Sequence, residues 1–157
     1  MIDEETRSAL AAQELGGAFV RRRHDSQLVA DLKNGTLLLR PHPEFDLPPS
    51  IDWRADPFGD RNWRAQFHML RWLDPLRRVA ADGDQEAFAL WWSVVESWAA
   101  DCLDSATAPP EALMDMVDGM RGIELSLGLL VVEQHQPSSV DRLHALLDVH
   151  GGWLADH

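Results

Sequence analysis

Residues 85–102 read QEAFALWWSVVESWAADC. Phe88, Trp91, Trp92, Val95 and Trp98 recur there at steps of three and four. A strand would scatter those side chains over both of its faces, whereas a helix gathers them into one apolar stripe. The segment is therefore an amphipathic helix, and its stripe needs other helices to cover it. Just upstream, Asp82-Gly83-Asp84 makes a turn in which Asp84 is placed to cap the helix start. Before that turn, Trp63, Phe67, Leu70, Leu73, Leu76 and Val79 predict a helix over 62–81, kinked at Pro75 where the main-chain donor is missing. Downstream, Pro109-Pro110 suits a helix start. The stripe Leu113, Met116 or Val117, Met120, Ile123, Leu127 and Leu130 then predicts a helix over 111–133. Pro137 closes that connection, and Ser138-Ser139-Val140-Asp141 resembles a capping box with Asp141 in place of the usual Glu. A last helix runs to Ala155 through Val140, Leu143, Leu147 and Leu154. Successive amphipathic helices joined by short turns pack as antiparallel hairpins, so the fold class is all-α. Periodicity alone leaves open whether they close into a bundle or form part of a larger helical ring.

The first third of the chain is less regular. Leu10, Leu15 and Phe19 predict a helix from Glu4 to Arg23, weakened by Gly16-Gly17. Asn34-Gly35 is a turn, and Thr36–Leu39 reads as one extended strand lying on the helices. From 40 to 60, Pro41, Pro43, Pro48, Pro49 and Pro57 remove the donors that a helix or central strand needs. Phe45, Leu47, Trp53 and Phe58 should hold that stretch as an ordered wrap. The chain thus divides into an N-terminal helix and connection (1–33), an extended wrap (34–61) and helical hairpins (62–157). Together they read as a single helical domain or the N-terminal fragment of a larger one.

Composition bounds function by exclusion. The chain of 157 residues carries a formal net charge of −12, which repels phosphate backbones and anionic bilayers. Arg supplies all but one of the 14 basic residues; the densest cluster, Arg21-Arg22-Arg23, suits a solvated helix C-terminus. Cys102 is the one cysteine, so neither an intrachain disulfide nor a Cys-rich zinc site can form. There is no Tyr, which removes any mechanism that needs its hydroxyl from within this chain. The N-terminal MIDEETRSALAAQ is acidic and lacks an apolar core, and no stretch is long enough to cross a bilayer, so a cytoplasmic protein is expected. Neither a nucleophile motif nor a phosphate-cradling glycine loop is present, and no cofactor is expected.

The stretch IDWRADPFGDRNW (51–63), continuing through Arg64, Gln66, Phe67, His68, Leu70, Arg71, Trp72, Leu73, Asp74, Pro75 and Leu76, resembles the heparinase II/III-like family. Later features are similar too: Gly83-Asp84 ahead of a helix ending near Trp98, then Asp115 with Gly119-Met120-Arg121. The likeness covers residues 34–157. It implies an N-terminal incomplete (α/α) toroid, followed in the family by a β-sandwich, and polysaccharide lyase activity on uronate-containing glycans. The family's chemistry relies on Asn, His and Tyr residues, most of them later in the chain. An Asn-His-Gly segment is expected just beyond a helix such as 139–156, and the aromatic residue expected near Asp115 is replaced around Leu113. The resemblance therefore implies an N-terminal toroid fragment or a truncated relative, and it carries over no catalytic residue.

Substrate-binding candidates follow from the same block. Arg64, His68, Arg71 and Trp72 stand at steps that place them on one side of a helix, and Arg121 can join them from the helix over 111–133. A Trp face under a sugar ring, with Arg on its carboxylate, is a workable uronate subsite. The competing assignment puts Trp63 and Trp72 in the core and pairs Arg121 with Asp118 or Glu124. Packing explains Trp91 and Trp98, while Trp92, out of phase, is the one placed to reach a groove. His144, His150 and His157 lack the i, i+4 spacing of a zinc helix, so no metal site is assigned. Glu111, Asp115 and Asp118 read as a solvated acidic face. Two functions remain: a toroid segment lending an acidic-glycan groove to a lyase, or a non-catalytic helical module that binds glycan or protein. A partial toroid would also leave an apolar helix face for a homo-oligomer or a downstream domain.

Overall fold

The computed structural model describes residues 1–16, 24–104 and 106–155. Its helices are α1 (Glu4–Gly16), α2 (Asp25–Lys33), α3 (Arg61–Met69), α4 (Asp74–Ala81), α5 (Gln85–Cys102), α6 (Asp115–His135) and α7 (Val140–Ala155). Strands β1 (Thr36–Leu38) and β2 (Glu44–Asp46) form a two-stranded sheet, and short 3-10 turns lie at Arg71–Leu73, Pro110–Leu113 and Pro137–Ser139. The fold is all-α, with hairpins α4–α5 and α6–α7 packed side by side. Asp84 caps α5 as its position predicts, accepting from the Ala87 amide at 2.9 Å. The stripe on α5 is buried: Phe88, Trp91, Val95 and Trp98 are all at most 3% exposed. Gly128 on α6 lets Trp91 press against that helix, and Trp91 Nε1 donates to Glu124 Oε1 at 2.8 Å.

Four sequence expectations are corrected, and a fifth is covered only in part. The N-terminal helix is described only to Gly16, so Phe19 and Arg21-Arg22-Arg23 lie outside the described residues. A further helix, α2, follows where only a connection was expected. It buries just Asp25, Val29 and Leu32, and Arg78 pins Asp25 from α4 with hydrogen bonds of 2.7 and 2.9 Å. The buried positions keep helical spacing, but with only Val29 and Leu32 apolar the stripe is short, and the ion pair from α4 supplies the rest. The strand at 36–38 is not single, because Leu37 pairs with Phe45 in an antiparallel ladder inside the proline-rich wrap. The wrap is ordered as expected, with Trp53 buried and Phe45, Leu47 and Phe58 packed on the core.

The remaining corrections concern two long helices. The stretch 62–81 is not one kinked helix but two helices separated at Leu70, which adopts the left-handed conformation with φ 57. A buried leucine tolerates that strain because its side chain is fully enclosed. Pro75 falls in the first turn of α4, where a missing N–H has no partner to lose. Similarly, 111–133 divides into a 3-10 turn and α6, which begins at Asp115.

Candidate functional site

The break at Leu70 decides where the predicted binding residues go. Arg64 and His68 stay on α3, while Arg71 and Trp72 sit in the turn beyond it, so the four do not share one helix face. Arg64 donates to Glu111 Oε1 at 2.9 Å and also pairs with Asp56. His68 is buried, and its Nδ1 accepts from Trp98 Nε1 at 3.2 Å. Burial, reinforced by the Arg121 charge, depresses its pKa from 6.5 to about 4, so the ring is neutral at ordinary pH.

Arg121 is placed in the core rather than at a surface groove. It is fully buried and donates to His68 O (2.8 Å), Ala112 O (2.9 Å) and Asp118 Oδ1 (2.7 Å), with its guanidinium 4.0 Å over the Trp98 ring. Desolvation lowers its pKa to about 10 against the opposing Asp118 charge, which leaves it protonated. Asp118 Oδ1 also lies 2.6 Å from His150 Nδ1. The carboxylate can only accept, so the proton of this bond sits on His150 Nδ1. His150 and Asp118 are both 2% exposed. The solvated acidic face expected on 111–118 therefore holds only for Asp115: Glu111 and Asp118 are drawn inward by Arg64 and Arg121. Asp118–Arg121 was legible as an i, i+3 pair, but nothing in the sequence linked Asp118 to His150.

Arg71 and Trp72 have a different setting. Both line a cavity of about 390 Å³ between α2, β1 and the start of α4, together with Leu28, Leu32, Thr36 and Pro75. Trp72 stacks on Phe67 at a centroid distance of 6.1 Å and donates through Nε1 to Phe67 O at 3.0 Å. Arg71 Nη2 is 3.5 Å from Asp74 Oδ2. Trp92, expected to reach a groove, is half-buried against Trp91. Among the described residues, no group of three His, Cys, Asp or Glu side chains is placed to hold a metal. His157 lies outside them.

The stacked hairpins are part of an (α/α) toroid. Among solved structures, a mutant of the heparan sulfate lyase HepC from Pedobacter heparinus matches 97% of this chain with a TM-score of 0.79 and 16% sequence identity. The chain spans 26% of the length of that lyase. No family model matches the chain. No curated protein matches it either. At this identity the likeness is one of fold.

Proposed function

We propose that this chain is a toroid segment of a heparinase II/III-like polysaccharide lyase that holds an acidic, uronate-containing glycan without itself supplying the elimination chemistry. The observation that carries this reading is the match of nearly the whole chain to a heparan sulfate lyase structure. β-Elimination requires a neutralised carboxylate, a base for the C5 proton and an acid for the leaving oxygen. The chain has no Tyr for the last two tasks, and His68 and His150 are sealed in the core. What it retains suits the first task. Arg71 and Trp72 would touch the sugar, Arg64 would extend the basic edge, and His68 and Arg121 would shape the wall from behind. A cytoplasmic site of action fits the free, buried Cys102. No described helix is long and apolar enough to cross a membrane.

A second reading, a non-catalytic helical interaction module, is favoured by the net charge of −12, a poor host for densely sulfated chains. Affinity electrophoresis through gels containing hyaluronan, alginate or heparan sulfate tests glycan binding directly. Retarded migration with at least one of them, and no growth of unsaturated-uronate absorbance on incubation, is the expected result. Unretarded migration in all three gels would refute the glycan reading, and lyase activity would show that the catalytic groups are present after all.

A further inference from the structure

We propose that His150 is an acid-released latch: while its ring is neutral it ties the last turns of α7 to the core, and in weak acid it lets them go. The device does not depend on the glycan reading. Beyond Leu146, His150 is the only residue of α7 that is buried among the described residues. Gly151-Gly152 follows it, exposed and inside the helix, where each glycine favours the unfolded chain. No atom stands within 4 Å of the Cβ that an alanine would place at either position, so packing does not require the pair. The end of α7 is thus intrinsically soft and is held by one side chain.

The surroundings of that side chain suit a neutral ring and not a charged one. It lies 5.5 Å from the Trp98 ring and edge-on to Trp153 at 5.3 Å, and its Nδ1 donates to Asp118 Oδ1 at 2.6 Å. Protonation would add a hydrogen at Nε2, which is buried and meets no acceptor among the described residues. The acceptor at the other nitrogen, Asp118 Oδ1, is already shared with Arg121 at 2.7 Å. A second cation there would compete with a guanidinium for one carboxylate.

The charged groups that act on the ring are Asp118 and Arg121, both on α6. From α5 come Trp98 and Cys102; burial pushes the Cys102 thiol up to about 12, so it is uncharged at ordinary pH. Beyond Trp98, α3 contributes His68, itself neutral. Burial depresses the His150 pKa below 6.5 against the pull of the Asp118 bond, and the Arg121 charge adds to the depression. Once released, the ring returns to about 6.5. Well above that pH neither form binds the proton, and the latch is closed. As pH falls below it the open form takes the proton first, so opening grows by up to about tenfold per pH unit until the held ring titrates too. Release exposes Trp98 and the Asp118–Arg121 pair to water.

Hydrogen exchange of the 157-residue chain, followed by mass spectrometry and corrected for the pH dependence of chemical exchange, tests this. The amides of residues 147–155 should be less protected than those of 125–132 on α6, and should lose about tenfold or more of their protection between pH 7 and pH 5. His150→Gln, whose side-chain amide can still donate to Asp118 but cannot titrate, should abolish that loss, while His68→Gln should keep it. No loss at all, a loss that persists in His150→Gln, or an α7 end that opens only together with α6 would overturn the latch. Should His150→Gln already be open at pH 7, His68→Gln decides: a retained loss upholds His150, and its disappearance transfers the titration to His68 and overturns the proposal.

Discussion

Replacing Gly128 by alanine tests how closely α5 and α6 are fitted. A Cβ at Gly128 would lie 2.3 Å from Cη2 and 2.5 Å from Cζ2 of Trp91, far inside the roughly 3.5–4.0 Å optimum for carbon contacts. Trp91 is fully buried and bonded to Glu124, one turn before Gly128 on the same helix. The ring can retreat only by giving up that bond or by pushing α5 off α6. Overpacking costs about 1–3 kcal/mol, and a lost buried hydrogen bond costs about 1–3 kcal/mol more. Against this stands a gain of about 1 kcal/mol for Ala over Gly inside a helix. The net is a loss of about 3 kcal/mol, which for a chain of this size lowers Tm by about 6–12 °C. Gly122→Ala on the same helix is the control. No atom stands within 4 Å of its Cβ, so the propensity gain survives and Tm should rise by about 2–4 °C. Thermal and urea unfolding followed by far-UV circular dichroism measure both variants. A Gly128→Ala protein as stable as Gly122→Ala would refute the close approach of Trp91.

Other outcomes follow from the buried polar groups. Arg121→Met leaves the Asp118 carboxylate without its cation and should cost about 3–5 kcal/mol in urea unfolding; a loss under about 1 kcal/mol would mean that Asp118 is held some other way. His68 has a folded pKa of about 4 against 6.5. Below pH 6.5 the unfolded chain therefore binds the extra proton, and stability falls as pH drops from 6.5 toward 4 by about 3 kcal/mol in all. His68→Gln, which can still accept from Trp98, should flatten that slope, and an unchanged slope would assign it to other groups. Asp60→Ala removes the side chain that accepts from the Asn62 amide at 2.7 Å at the start of α3. It should cost about 1 kcal/mol, readable as a shift in the urea midpoint.

The hairpin helices were legible because each carries its own stripe. The period of α5 names Phe88, Trp91, Val95 and Trp98, and these are the residues that become core. The proline-rich wrap was legible for a related reason: proline removes alternatives, and Trp53, Phe45 and Phe58 say what holds the remainder. The break at Leu70 was not legible. Leu70 continues the apolar stripe, so periodicity runs through it, and Pro75 points to a kink one turn too late. α2 left a fainter signal, since Val29 and Leu32 are its only buried apolar residues and its anchor, Asp25, is held by Arg78 from a distant helix. The candidate site suffered most from the unseen break. Once α3 ends at Met69, the face that would have carried Arg64, His68, Arg71 and Trp72 together no longer exists.

The residues that looked like sugar ligands share a second chemistry, and it explains their positions. A helix that stops at Met69 leaves its last carbonyls without partners. The Trp72 indole N–H takes that of Phe67, and the Arg121 guanidinium takes that of His68 while reaching across to Ala112. Planar donors on long side chains serve an interrupted helix as well as they serve a glycan, and sequence cannot separate the two uses. Geometry separates them by atom. Arg121 spends its donors inside the core, so its loss should be read in stability. Trp72 spends its N–H on the cap and one face on Phe67, and the part of its ring that borders the cavity is left for a ligand. Trp72→Phe divides these roles: it deletes the cap, at a cost of about 1 kcal/mol in unfolding, and keeps an aromatic face. If glycan binding fell with that small loss of stability, the cap and not the stack would be what the cavity depends on, and Trp72 would belong to the scaffold alone.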